Sequence, residues 1–151
     1  MIKLKLAFTV ALVMCLVDFS TAQITTPKLS PHCVITQEVG FNEITIDYSR
    51  PSVRDRVIFG DLVPYGKLWR TGANASTKIK FKDDVTLDGH EVMAGEYTLN
   101  TIPGKDEWTI IIHTVTTYWG VGKDYKETDD LVRFKVKPIT LNHKIETMAI
   151  E

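Results

Sequence analysis

The chain has 151 residues, 44% of them hydrophobic, with 18 basic and 19 acidic side chains and a formal net charge of −1. That balance excludes the dense positive field of a general nucleic-acid binder. The length is that of one domain able to bury a real core.

Residues 1–22 follow the order of a cleavable secretory signal. Lys3 and Lys5 supply the positive end, and Leu6 to Val17 give an apolar run broken only by Thr9. Asp18 ends the run, and Ser20-Thr21-Ala22 places small residues where a signal peptidase reads, so cleavage is expected after Ala22. The run is too short for the roughly 20 residues of a membrane-spanning helix. Lipid attachment at Cys15 is disfavoured by Met14, which stands where that processing wants a small residue. The mature chain, 23–151, then carries 16 basic against 18 acidic side chains, since Lys3, Lys5 and Asp18 leave with the signal. Cys33 is the one cysteine left in it, so no internal disulfide is available. Cys33 itself reads as a small buried residue on a strand. The mature chain is expected in the periplasm or outside the cell, without a membrane span.

Residues 23–31, with two prolines and three hydroxyl side chains, read as an extended arm. From there period-2 patterns dominate. Cys33–Val39 and Glu43–Tyr48 are strands around Gly40-Phe41-Asn42. Thr77–Lys82 is the clearest alternation, with Ile79 and Phe81 facing one way and Lys78, Lys80 and Lys82 the other. Val85–Leu87 and Glu91–Met93 flank Asp88-Gly89, a tight-hairpin signal. Glu96–Ile102 and Trp108–His113 flank Pro103-Gly104-Lys105-Asp106. Leu131–Lys137 is a further strand stopped by Pro138, and Ile145–Ile150 reads as one more. The pattern predicts an all-β fold, an antiparallel β-sandwich or incomplete barrel of about eight short strands. The domain spans 32–151 and stops while still reading as strand, which suggests truncation and an open edge there. Two long irregular segments, 49–76 and 114–130, interrupt the pattern, and connections of that length are usually functional or locally structured.

Four of the five arginines, Arg50, Arg54, Arg56 and Arg70, fall in the first irregular segment, with Tyr65, Trp69 and Asn74 among and after them. An arginine fork fits carboxylate or phosphate oxygens and stacks on aromatic faces. Trp and Tyr offer flat platforms for sugar rings or peptide side chains. The candidate binding surface is therefore Arg50, Arg56, Tyr65, Trp69, Arg70 and Asn74, with Trp119 from the second segment. Its partner would be a glycan, a peptide or a small anion. The competing reading is a loop that stacks on itself and pairs with Asp47, Asp55 and Asp61. Gly72 is expected to supply a positive φ in the Trp69–Asn74 turn.

Metal and cofactor signals are lacking. His32, His90, His113 and His143 show no ligand spacing. Asp124, Glu127, Asp129 and Asp130 lack the regular spacing and central Gly of a calcium loop and read as solvated acids. No catalytic residue is assigned, because no nucleophile stands beside a recognisable base.

A set of motifs in fixed order adds a family resemblance. Arg50-Pro51, Arg56, Ile58-Phe59-Gly60, Leu62-Val63-Pro64-Tyr65-Gly66, Trp69–Asn74, Gly95 with Tyr97, Ile102-Pro103-Gly104, Trp108 and Trp119-Gly120 resemble the domain-of-unknown-function family DUF2911 over about residues 30–150. The resemblance implies an exported bacterial protein of Bacteroidetes type and implies no activity. Ala75 stands where the family often has Glu, and Asn100 where it usually has an aromatic ring. Three functions are compatible with these readings. The first is a ligand- or partner-binding module. The second is a hydrolase acting on cell-wall or glycan material. The third is an assembly protein that pairs through an open strand edge.

Overall fold

The computed structural model describes residues 25–121 and 125–151. The expected signal, 1–22, and Asp124 of the acidic loop lie outside the described residues. Among those described, the chain is all-β: β1 (His32–Val39), β2 (Asn42–Ser49), β3 (Lys78–Phe81), β4 (Val85–Leu87), β5 (His90–Val92), β6 (Gly95–Ile102), β7 (Trp108–His113) and β8 (Asp130–Val136), with one 3-10 turn at Glu127–Asp129. Six strands form an antiparallel sheet in the order β1-β2-β3-β6-β7-β8, and β4-β5 form a separate two-stranded sheet. The sheet does not close into a barrel.

Turn chemistry sets the strand ends. Asp88 and Gly89 both have positive φ (49° and 83°), the geometry that closes a two-residue hairpin between β4 and β5. At the β2 start, Asn42 Oδ1 accepts the N–H groups of Glu43 and Asp83, while its Nδ2 donates to the Asp83 carbonyl. One amide thus ties the β1–β2 turn to the end of β3.

Strand register places Ile44, Ile79, Phe81, Tyr97, Leu99, Ile112, Val132 and Phe134 on one face of the large sheet. The β4–β5 hairpin lies on that face and inserts Val92 among Phe81, Ile112 and Val132, flanked by Val85 and Leu87. Each such side chain, fully buried, contributes about 1.5–3 kcal/mol. The opposite face carries Thr98, Asn100, Ile111 and His113, all buried. Both faces of β6 and β7 are therefore covered. That explains why Ile110-Ile111-Ile112 is an unbroken apolar run, where alternation would mark a half-exposed strand.

One expected strand is not formed. Ile145–Ile150 makes only an isolated bridge, Ser52 with Thr147, supported by Val53 N–H to the Glu146 carbonyl (2.8 Å) and Met148 N–H to the Pro51 carbonyl (3.0 Å). The partner it finds is the irregular segment after Pro51, which cannot extend the ladder because Pro51 has no N–H. Residues 25–31 form no strand and bend at Leu29 and Ser30, and Cys33 is half-buried on the edge strand β1, less enclosed than its sequence reading.

Ile112→Ala, at a site 1% exposed, is expected to lower stability by about 3 kcal/mol. Val39→Ala, on an exposed strand position, is expected to change it by less than about 0.5 kcal/mol. Urea unfolding of the two variants checks both values.

Candidate functional site

Residues 69–77 continue the line of β3 along the edge of β6. Trp69 exchanges two backbone hydrogen bonds with Thr101, at 2.7 and 2.8 Å. This places the Trp69 ring on the hydrophobic face, edge-on to Phe59 and Trp108 (centroids 5.7 and 6.4 Å away). Its indole N–H donates to the Gly72 carbonyl at 3.1 Å. The turn that follows is strained at Thr71 (φ 57°) and Asn74 (φ 60°), and a β-branched residue rarely adopts such a φ. Thr71 is held there by Oγ1 donating to Thr101 Oγ1 and by its carbonyl accepting from Thr77 Oγ1. The positive φ thus falls on Thr71 and Asn74, and Gly72 serves a different need. A Cβ on Gly72 would lie 2.9 Å from Thr77 Oγ1 and 3.1 Å from the Ser49 carbonyl, so glycine is required by close approach to β2.

Beside this turn lies a groove of about 720 Å³. Pro51, Val53, Ile58, Phe59, Leu62 and Val63 form one wall, Trp69, Arg70, Gly72 and Ala73 another, and Leu141, Ile145, Met148 and Ala149 a third. Its charged lining residues are Arg56, Arg70 and Glu151.

The seven candidate residues divide on this geometry. Arg56, Trp69 and Arg70 meet in the groove. Arg56 is partly committed, donating to the Val53 and Ser52 carbonyls at 3.0 and 2.7 Å and so closing the left-handed turn at Arg54-Asp55. Arg50 donates to the Met148 carbonyl at 2.8 Å, and Asn74 to the Ser30 carbonyl at 3.2 Å, so both act as clips for the chain ends. The Tyr65 ring packs on Gly60. Trp119 is 73% exposed and outside the groove lining. Two of the three acids weighed against the arginines pair elsewhere, Asp47 with His32 and Asp55 with Lys144.

Arg70 differs from the rest. Among the described residues its Nε is buried without a hydrogen-bond partner, and no ion pair includes it. Gly120, at φ 73°, leaves room for its Nη1, which a Cβ there would strike.

Sequence reasoning missed the layer on the polar face. His113 Nδ1 donates to Asp130 Oδ1 at 2.8 Å, and both side chains are almost wholly buried. Asp130 also accepts from the Tyr125 hydroxyl at 2.7 Å and from Arg133 Nε. Tyr125 stacks on the His113 ring and Tyr118 meets it edge-on. Asn100, where the resemblance expects an aromatic, donates to the Tyr118 hydroxyl at 2.7 Å. Asp130 is therefore the anchor of the 114–130 segment, which corrects its reading as a solvated loop acid. The Asp–His pair has the arrangement of a base and its orienting acid. Yet His113 is 0% exposed and its Nε2 has no partner among the described residues, so none of them sets a nucleophile oxygen beside it. The signal available in the sequence was His113 itself, a titratable residue ending an apolar strand that both faces of the sheet bury. Among the described residues no group of three His, Cys, Asp or Glu side chains converges as a metal site requires.

A family model described as "Protein of unknown function (DUF2911)" matches residues 30–151. The chain belongs to the DUF2911 family. The match includes the groove, the strained turn and the buried polar layer of this DUF2911 protein. No curated protein and no solved structure matches it.

Asp130→Asn, which removes the buried charge while the partly exposed Arg133 keeps its pair with Glu127, is expected to cost about 1–3 kcal/mol in urea unfolding. The alkaline limb tests the same layer. Burial, with the Asp130 carboxylate alongside, pushes the Tyr125 hydroxyl up from 10.0 to about 12. Between those values the unfolded chain gives up a proton that the native state keeps. Stability from this group is complete below pH 10 and falls as pH rises toward 12. Tyr118, raised by burial, acts in the same direction. Tyr125→Phe is expected to flatten the fall in urea midpoint across that range.

Proposed function

We propose that this DUF2911 protein is an exported ligand-binding domain whose groove takes a molecule with an apolar body and one carboxylate. The observation that carries the reading is Arg70, a guanidinium lining a largely apolar groove, shared with Arg56 and Glu151, with a buried donor that no described residue satisfies. Leaving such a donor unmet costs free energy. An arriving carboxylate would meet the arginine fork in two parallel bonds, which are stronger than neutral ones. The apolar body would lie against Trp69, Phe59 and Leu62. Export rests on the order of residues 1–22.

Arylalkyl carboxylates are expected to raise the melting temperature, and their neutral amides are not. At a hundred times the Kd the added stability is about 2.7 kcal/mol. Arg70→Met is expected to remove the carboxylate preference. Equal shifts with acid and amide, or none with either, would overturn the reading. Export is checked separately by intact mass, which is expected to place Gln23 first in the secreted protein.

A further inference from the structure

The open edge of this fold is β1, and we propose that it pairs with β1 of a second copy to make a two-fold dimer with a continuous sheet. This does not rest on the groove. The Ile145–Ile150 segment, whose edge the sequence suggested was open, already lies against Pro51–Val53. Of the two outer strands of the large sheet, β8 carries Arg133 and Lys135 and is distorted where β7 pairs with it between Ile112 and His113. Those are the features that discourage edge pairing. β1 has neither. It runs eight residues in regular register with β2, and Cys33 to Gln37 hold no charge and no proline. Among the described residues its outer backbone edge meets only a neighbouring side chain of its own strand, Gln37 Nε2 donating to the Glu38 carbonyl at 2.9 Å. The described part of the preceding arm, 25–31, does not fold over it. Leu29, Ser30 and Pro31 give their carbonyls to Arg54, Asn74 and the Arg50 N–H, which draws the arm toward the other side of β2.

The occupant follows from the sequence of β1. A two-fold axis through an antiparallel pair must pass between a residue and its own copy. Setting it at Ile35 places Val34 opposite Thr36 of the partner subunit and Cys33 opposite the partner's Gln37. His32 then faces the partner's Glu38 at both ends. Within one copy Glu38 lies directly opposite Glu43, a like-charge pair that destabilises a ladder. The ring of His32 of the partner subunit, held by Asp47 of its own chain, sets a nitrogen there in place of a third carboxylate. The register thus favours β1 itself over an unrelated strand. Pairing of β1 with β8 of another copy would bring different edges together and give an open filament.

The test uses protein expressed from the full sequence. Light scattering after size exclusion is expected to give twice the monomer mass. Val34→Lys with Thr36→Lys sets like charges opposite each other twice and is expected to give a monomer with an unchanged urea midpoint at low concentration. In a Cys33→Ser background, Ile35→Cys is expected to form a disulfide-linked dimer on mild oxidation. Glu38→Cys, whose two copies lie far from the axis, is expected not to. A monomer at several hundred micromolar, a dimer untouched by the double lysine change, cross-linking at Glu38→Cys alone, or a ladder of higher oligomers would each overturn the proposal.

Discussion

A carboxylate whose side chain is 4% exposed must be met by donors, and Asp130 is met by three: His113, Tyr125 and Arg133. Those bonds decide what covers the polar face of the sheet. They set the start of β8, seat Tyr125 on the imidazole and hold the Thr114 N–H and hydroxyl against the Asp129 carbonyl. With the segment in place, Tyr118 reaches Asn100, and its carbonyl, with that of Gly120, accepts from Ser76 Oγ. Gly120 then stands beside Arg70. A chain of contacts thus leads from a structural carboxylate to the guanidinium proposed to meet a ligand.

Strands were legible where one face is exposed and the alternation is clean. Lys78 to Phe81 is such a case, as is the β4–β5 hairpin with its Asp-Gly turn. The Ile145–Ile150 segment shows the limit of that signal. Its apolar spacing is that of a strand, but its partner is interrupted by Pro51, and partners at a distance of about ninety residues are not written in local periodicity. The 114–130 segment was opaque for a related reason. Its order comes from side chains on β6, β7 and β8 that are themselves polar and buried, and nothing local marks Asp130 as enclosed while its neighbours Glu127 and Thr128 are exposed.

The arginine-rich segment was correctly singled out as unusual, but its arginines differ in their duties. Arg50, Arg54 and Arg56 spend N–H donors on backbone carbonyls, stitching the arm, the tail and their own turn together. The side chains look alike in sequence. Only carbonyl positions fixed by the fold separate those three from Arg70. The same holds for Gly72, where the demand is for space against Ser49 and Thr77.

The placement of the small hairpin also bears on how the chain assembles. β4 and β5 lie wholly within the connection between β3 and β6, the two central strands of the large sheet. Closing the hairpin at Asp88-Gly89 shortens the loop those strands must close, and short loops form first and at the least entropic cost. Val92 lies over Phe81 as part of that unit. The hairpin that caps the hydrophobic face thus also shortens the closure on which the central strand pair depends.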